Sequence, residues 1–177
     1  MNKKILEKAK KIKLIGMDID GVLTGGEIVV LNSGEEIKFW NVKDRFGFAL
    51  ARKSGSGLKF VWITGRESKE VENQAKEIGI DRIYQNCYDK LSAYREIVKN
   101  FSLHPTEIAY IGDDLMDLPV LKRVGLSVCP NDAPEELKKI VDHISFYPGG
   151  RGVFRETIEI VLKAKGLWRK TISEYLR

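Results

Sequence analysis

Short apolar runs that each stop on polar residues set the pattern of this chain. Ile12–Asp18, Phe60–Thr64, Arg82–Gln85, Ile108–Gly112 and Leu126–Cys129 have the length and β-branched content of buried strands. Helical patterns fill the intervals, at Arg45–Ser54, Ser68–Ile78, Asp89–Phe101, Asp117–Val124 and Pro134–Val141, with another opening near Gly152. Parallel strands need a long crossover, usually a helix, so this alternation commits the chain to an α/β fold with a three-layer parallel sheet. Such sheets collect ligands beyond the carboxyl ends of their strands. The residues that close each run are therefore where chemistry is expected.

One interval breaks the pattern. Glu27–Leu31 and Glu36–Trp40 are β-rich and flank the turn residues Asn32-Ser33-Gly34-Glu35, which predicts a hairpin flap over about residues 22–41. The length, 177 residues, suits one domain over 1–177, with a tail helix at about 167–177. No apolar run approaches the ~20 residues of a membrane span. Met1–Lys13 is basic but has no signal-peptide core or cleavage site, so a cytoplasmic protein without a membrane partner is expected. The net charge of +5 comes from lysines interleaved with glutamates. That pattern belongs on solvated helix faces, and no nucleic-acid partner is expected, although part of the excess can attract an anionic substrate. Cys87 and Cys129 stand far apart in no zinc or disulfide pattern.

The first run ends in Asp18-Ile19-Asp20-Gly21. Residues i and i+2 of a strand point the same way, and two adjacent carboxylates need an offsetting positive charge. A divalent cation such as Mg²⁺ supplies it, leaving one carboxylate as a nucleophile and the other as an acid/base. The second run ends in Thr64-Gly65-Arg66, which offers a hydroxyl, a close backbone approach and a bidentate anion ligand. Lys90 opens a helix, where it opposes the helix dipole unless anionic groups face it. The fourth run ends in Gly112-Asp113-Asp114-Leu115-Met116-Asp117 and adds three more acids. Singly, each segment also has a plain structural reading: an Asp-Gly turn, a threonine N-cap, a surface lysine.

Taken in order, Asp18-Ile-Asp20-Gly21, Thr64-Gly65-Arg66, Lys90 and Gly112-Asp113-Asp114-x-x-Asp117 resemble the four motifs of the haloacid dehalogenase-like phosphohydrolases. The resemblance implies a Rossmann-like core and a Mg²⁺-dependent phosphomonoesterase. It casts Asp18 as the nucleophile that becomes an aspartyl-phosphate and Asp20 as the acid/base. Thr64 and Lys90 would hold phosphoryl oxygens. Asp18, the backbone carbonyl of Asp20, and Asp113 would bind the metal, with Asp114 and Asp117 supporting it from behind. An aspartate at position 20 suits departure of an alkoxide, which needs a proton, and favours a phosphatase over a dehalogenase.

Relatives in this superfamily usually carry a cap domain. Here the interval from Asp18 to Thr64 has room only for the flap and one helix, and that from Thr64 to Lys90 only for one helix and one strand. A capless site needs another cover to exclude water. A neighbouring subunit, contacted through Ile28, Val30, Ile37, Phe39 and Trp40, is the expected one. The flap, Phe39-Trp-Asn-Val-Lys-Asp44 and Gly149-Gly-Arg-Gly-Val-Phe-Arg-Glu156 resemble the tetrameric 3-deoxy-D-manno-octulosonate 8-phosphate phosphatase family of lipopolysaccharide precursor synthesis. That resemblance implies a homotetramer acting on a phosphorylated sugar acid. Asp20, Asn41, Val42, Lys43, Asp44, Arg45, Gly65, Arg66, Lys90 and Arg151 would lie at the substrate. The chain departs from the family pattern at Ala49 and Gln74, where arginines are common, and at Arg45-Phe46, where Gly-Tyr is common. Such arginines suit a sugar-acid carboxylate, and Arg45 is near enough to compensate for their loss. Competing readings are a nonulosonate 9-phosphate phosphatase, a broad small-molecule phosphatase and a non-catalytic oligomerisation module.

Overall fold

The structure is a computed structural model that describes residues 2–176. Its centre is a six-stranded parallel sheet in the order β5-β4-β1-β6-β7-β8, formed by β1 (Leu14–Met17), β4 (Lys59–Ile63), β5 (Arg82–Tyr84), β6 (Ile108–Ile111), β7 (Leu126–Cys129) and β8 (His143–Ile144). A separate antiparallel pair, β2 (Val29–Val30) and β3 (Glu36–Ile37), forms the flap. The crossovers are α2 (Val42–Lys53), α3 (Lys69–Ile78), α4 (Lys90–Asn100), α5 (Leu118–Leu121) and α6 (Glu135–Lys138). The helices α1 (Lys3–Lys11), α7 (Val153–Ala164) and α8 (Trp168–Ser173) complete the chain.

Period-2 alternation along the central strands divides the core into two layers. Ile15 and Met17, Phe60 and Trp62, and Ala109 and Ile111 face one side, with Phe48 of α2 and Phe154 and Ile158 of α7. Leu14, Val61, Ile63, Ile108 and Tyr110 face the other, against Tyr94 and Ile97 of α4 and Val120 and Leu121 of α5. The aromatic packing is dense on the first side, where the Phe48 ring stacks on Phe154 at 4.0 Å between centroids.

The register determines where the chemistry falls. Met17, the last residue of β1, lies opposite Trp62 and Ile111. Asp18, Thr64 and Gly112 therefore leave three adjacent strands at the same edge of the sheet. The Asp18 N–H donates to the Ile111 carbonyl (3.0 Å), which carries the ladder one residue beyond β1, to the expected nucleophile.

Several expectations change in detail. Ile12 caps α1 rather than opening the first strand. The basic start of the chain is an amphipathic helix that buries Ala9 and turns its lysines to solvent. The flap pairs only Val29 with Ile37 and Val30 with Glu36, and Val22, Leu23 and Thr24 are buried in the body of the protein instead of belonging to it. Trp40, expected at a subunit contact, turns inward and stacks on Trp62 at 5.5 Å. The tail helix is shorter than expected, with Tyr175 folded back against Phe46. Arg177 lies outside the described residues.

Candidate active site

Asp18, Asp113 and Asp117 present carboxylate oxygens that all lie within 4.8 Å of one another. They are held by different elements. Asp18 follows β1, and Asp113 follows β6 beyond Gly112. Asp117 ends the 3-10 turn Leu115–Asp117, which Asp114 caps through the Leu115 N–H. Gly21 has φ +93°, and a Cβ there would stand 2.0 Å from Asp113 Oδ2. The glycine thus lets the Asp113 carboxylate lie directly against the loop that carries Asp20.

Lys90 is the counter-charge. It is the first residue of α4, is 4% exposed, and places Nζ 3.1 Å from Asp18 Oδ1 and 2.7 Å from Asp117 Oδ1. Burial works against its charge, but Asp18 and Asp117 outweigh that and raise its pKa, so the ammonium persists. The other Asp117 contacts come from Tyr110 Oη (2.7 Å to Oδ1) and from the N–H groups of Asp113 (3.1 Å) and Asp114 (3.3 Å), both to Oδ2. Asp117 is therefore fully occupied by protein donors. Gly16 makes room for the Tyr110 ring, whose Cδ2 would sit 3.1 Å from a Cβ at that position.

One lysine does not balance the cluster. Burial first, and then neighbouring carboxylates, push the Asp113 carboxyl up; burial also pushes Asp18 up, against the opposing pull of Lys90. A site that disfavours its own carboxylates in this way is short of positive charge. Hard oxygen donors without thiol or imidazole fit Mg²⁺.

Asp20 lies beside this cluster. Its Oδ1 accepts from Lys38 Nζ (2.5 Å) and from the Thr24 hydroxyl (3.3 Å), while Oδ2 is buried without a partner among the described residues. Thr64 is buried at the next strand end, with its N–H on the Tyr84 carbonyl and its hydroxyl accepting from the Arg66 N–H (3.2 Å).

A family model described as haloacid dehalogenase-like hydrolase matches residues 80–156. The 3-deoxy-D-manno-octulosonate 8-phosphate phosphatase KdsC of Salmonella typhi is 40% identical over 162 residues, covering 92% of this chain and 85% of that protein. This chain belongs to the 3-deoxy-D-manno-octulosonate 8-phosphate phosphatase family. A crystal structure of the Moraxella catarrhalis phosphatase in complex with magnesium ion, phosphate ion and KDO superposes with a TM-score of 0.94 at 36% identity, covering 99% of both chains. The Yersinia pestis phosphatase superposes with a TM-score of 0.92 at 37% identity, covering 96% of this chain and 90% of that one.

Beyond Asp20 and Lys90, the residues expected at the substrate divide into three groups. Asn41, Val42, Lys43 and Arg151 line an open cleft of about 590 Å³ together with Gly25, Glu27, Val29, Phe39, Trp40 and Gly150. The side chain of Asn41 is committed there: Oδ1 caps α2 at the Lys43 N–H (2.8 Å) and Nδ2 donates to the Gly150 carbonyl (3.1 Å). Arg66, with Gly65 before it, reaches across to the flap and pairs with Glu36. Asp44 and Arg45 go elsewhere. Asp44 is 1% exposed and accepts the Arg155 N–H (2.9 Å) at the start of α7. It serves that helix as a cap from outside, because Gly152 has no side chain to do so. Arg45 pairs with Glu77 of α3 at 2.6 Å, so the carboxylate role expected of it is not supported. Lys43 and Arg151 are the cations that remain on the cleft.

Membership of the family did not make Lys38 stand out, and sequence reasoning missed it. The signal was available: with Ile37 and Phe39 facing out, strand alternation turns Lys38 in. Tyr110 was read only as a strand residue.

Proposed function

We propose that this chain is a Mg²⁺-dependent phosphomonoesterase, one catalytic domain that releases phosphate from 3-deoxy-D-manno-octulosonate 8-phosphate. The observation that carries this reading is the bridge of Lys90 between Asp18 and Asp117, with Asp113 packed on Gly21 beside it. The family membership and the ligands of the Moraxella catarrhalis structure support both the metal and the sugar acid.

Asp18 attacks phosphorus and forms an aspartyl-phosphate while Asp20 protonates the departing sugar oxygen; Asp20 then takes a proton from the water that hydrolyses the intermediate. Lys90 and the Thr64 hydroxyl hold the phosphoryl oxygens, with Lys90 also orienting Asp18. Asp18, Asp113 and the backbone carbonyl of Asp20 hold the metal, and Asp117 fixes Lys90 and the Asp113 backbone behind them. When bound, Mg²⁺ offsets the charge of the carboxylates and of the phosphoryl group. The cleft beside the flap takes the sugar, with Lys43 and Arg151 facing its carboxylate.

The same reading includes a homotetramer in which a neighbour covers the cleft. Ile28, Val30, Ile37 and Phe39 are exposed on the flap and available for that contact. A cytoplasmic location fits the free cysteines Cys87 and Cys129. Among the described residues, no helix is long and apolar enough to cross a membrane.

Phosphate release from a panel of sugar and sugar-acid phosphates, with and without Mg²⁺, tests the proposal. The octulosonate ester is expected to lead, turnover is expected to stop when the metal is chelated, and Asp18→Asn is expected to abolish it while the protein stays folded. Metal-independent release, or full activity of Asp18→Asn, would overturn the mechanism.

A further inference from the structure

The two oxygens of Asp20 have different surroundings. Oδ1 is fastened to Lys38 Nζ at 2.5 Å and to the Thr24 hydroxyl at 3.3 Å. Oδ2 is buried and has no partner among the described residues. Lys38 comes from the flap, directly after β3, yet its side chain is only 3% exposed. Its neighbours on the flap, Ile37 and Phe39, are exposed. Burying an ammonium is costly unless it is paired, and the acids facing this one are Asp20 and, at 4.0 Å, Glu36. Glu36 in turn pairs with Arg66. A run of alternating charge thus joins Asp20 to the flap and to the strand end that carries Thr64.

We propose that Lys38 is a positioning residue for the acid/base Asp20. The inference rests on the phosphatase reading above and deepens it. Lys38 fixes the rotamer of Asp20 by holding Oδ1. In the first half-reaction, the bond from Asp18 to phosphorus forms as the phosphorus–alkoxide bond breaks, and the proton of Asp20 passes to the leaving oxygen. The ammonium on Oδ1 offsets the charge that the Asp20 carboxylate acquires. In the second, the water oxygen bonds to phosphorus, the bond to Asp18 breaks, and Asp20 takes the proton from water. Seating β3 on the body of the protein is therefore what aims the acid/base.

Leaving-group dependence separates this role from a structural one. A leaving group of low pKa departs without help, whereas a basic one needs the proton. The experiment measures kcat/KM with Mg²⁺ for p-nitrophenyl phosphate, phenyl phosphate and an alkyl phosphate, using wild type, Lys38→Met, Lys38→Arg and Asp20→Asn. Lys38→Met is expected to lose about a hundredfold on the alkyl ester and less than about tenfold on p-nitrophenyl phosphate. The dependence on leaving-group pKa should steepen toward that of Asp20→Asn. Lys38→Arg, which keeps a charged donor, should restore most of the wild-type slope. If Lys38→Met does not fold by circular dichroism, Lys38→Gln takes its place with the same expected direction. A folded variant that loses the same factor on all three esters would overturn the inference and leave the phosphatase reading intact. A wild-type enzyme inactive on all three esters and on the octulosonate ester would sink both.

Discussion

Asp117 takes hydrogen bonds from Lys90, Tyr110 and two backbone N–H groups, all within 3.3 Å. Replacing it with Ala leaves a buried ammonium with Asp18 alone and strips Tyr110 of its acceptor. Breaking a buried pair from one side costs about 3–5 kcal/mol. Asp117→Ala should therefore lower the urea midpoint sharply and cut kcat through the loss of Lys90 placement; a variant of wild-type stability would contradict this account. Asp44 makes a separate prediction. Burial lifts its pKa from 3.8 to about 6, against the Arg155, Gly152 and Phe154 N–H groups that oppose the rise. A raised pKa means that the fold binds the proton more tightly than the unfolded chain. The stability it contributes is full below 3.8 and is lost as pH rises through about 6. Asp44→Asn lacks that loss, so its stability relative to wild type should improve between about pH 4 and about pH 7. Denaturation curves at both ends of that range check the sign, and a constant difference would refute it. Asp18, Lys90 and Asp113 were legible in the sequence because strand and helix ends are where side chains meet. The cap that Asp44 provides was not legible, because the first turn of α7 lies far along the chain from it, and neither was the pairing of Arg45 with Glu77 across to α3.

Gly149 and Gly150 clasp the loop that follows Asp20, the proposed acid/base. The Gly150 N–H donates to the Val22 carbonyl at 2.9 Å, and its own carbonyl accepts from Asn41. A Cβ on Gly149 would stand 2.1 Å from the Gly21 carbonyl oxygen, and one on Gly150, at φ +63°, would stand 2.3 Å from the Thr24 carbonyl carbon. Both collisions are with backbone, so side-chain rotation does not relieve them. Gly149→Ala and Gly150→Ala should each displace the segment from Gly21 to Thr24 and lower kcat by more than about tenfold, a loss equivalent to ~1.4 kcal/mol of transition-state stabilisation. Activity within twofold of wild type would mean that the loop moves freely. The sequence marked this run of glycines as a subfamily feature, but not its reason, because the surface it touches is built by residues near the other end of the chain. Other elements were hard to read for local causes. The helix α1 is mostly lysine and shows few apolar positions, and β8 pairs only two residues with β7. The central strands were legible because their buried runs are continuous and their boundaries chemical.

At the scale of the molecule, the difficulty is an active site with no cover of its own. Phosphoryl transfer gains from excluding water, yet the cleft proposed for the sugar is open and the flap beside it is thin. Two residue pairs join its strands, and an isolated hairpin of that size is marginal in water. Trp40 on Trp62 and Lys38 on Asp20 anchor its base, but Val30 and Phe39 remain 59% and 66% exposed. An exposed apolar patch on a β-ribbon is a surface for association. Ile28→Asp combined with Val30→Asp would set charges into that contact without touching the Asp18 cluster or the lining of the cleft. Sedimentation should then shift from the proposed tetramer to a smaller species, and kcat/KM for the sugar-acid ester should fall far more than for p-nitrophenyl phosphate, which has no sugar to fill the proposed cleft. Two other outcomes oppose the proposal. A wild-type protein that sediments as a monomer removes the neighbour altogether. A dissociated variant with undiminished kcat/KM for the sugar-acid ester shows that a single chain, with its flap held down by Lys38 and Trp40, encloses its substrate unaided.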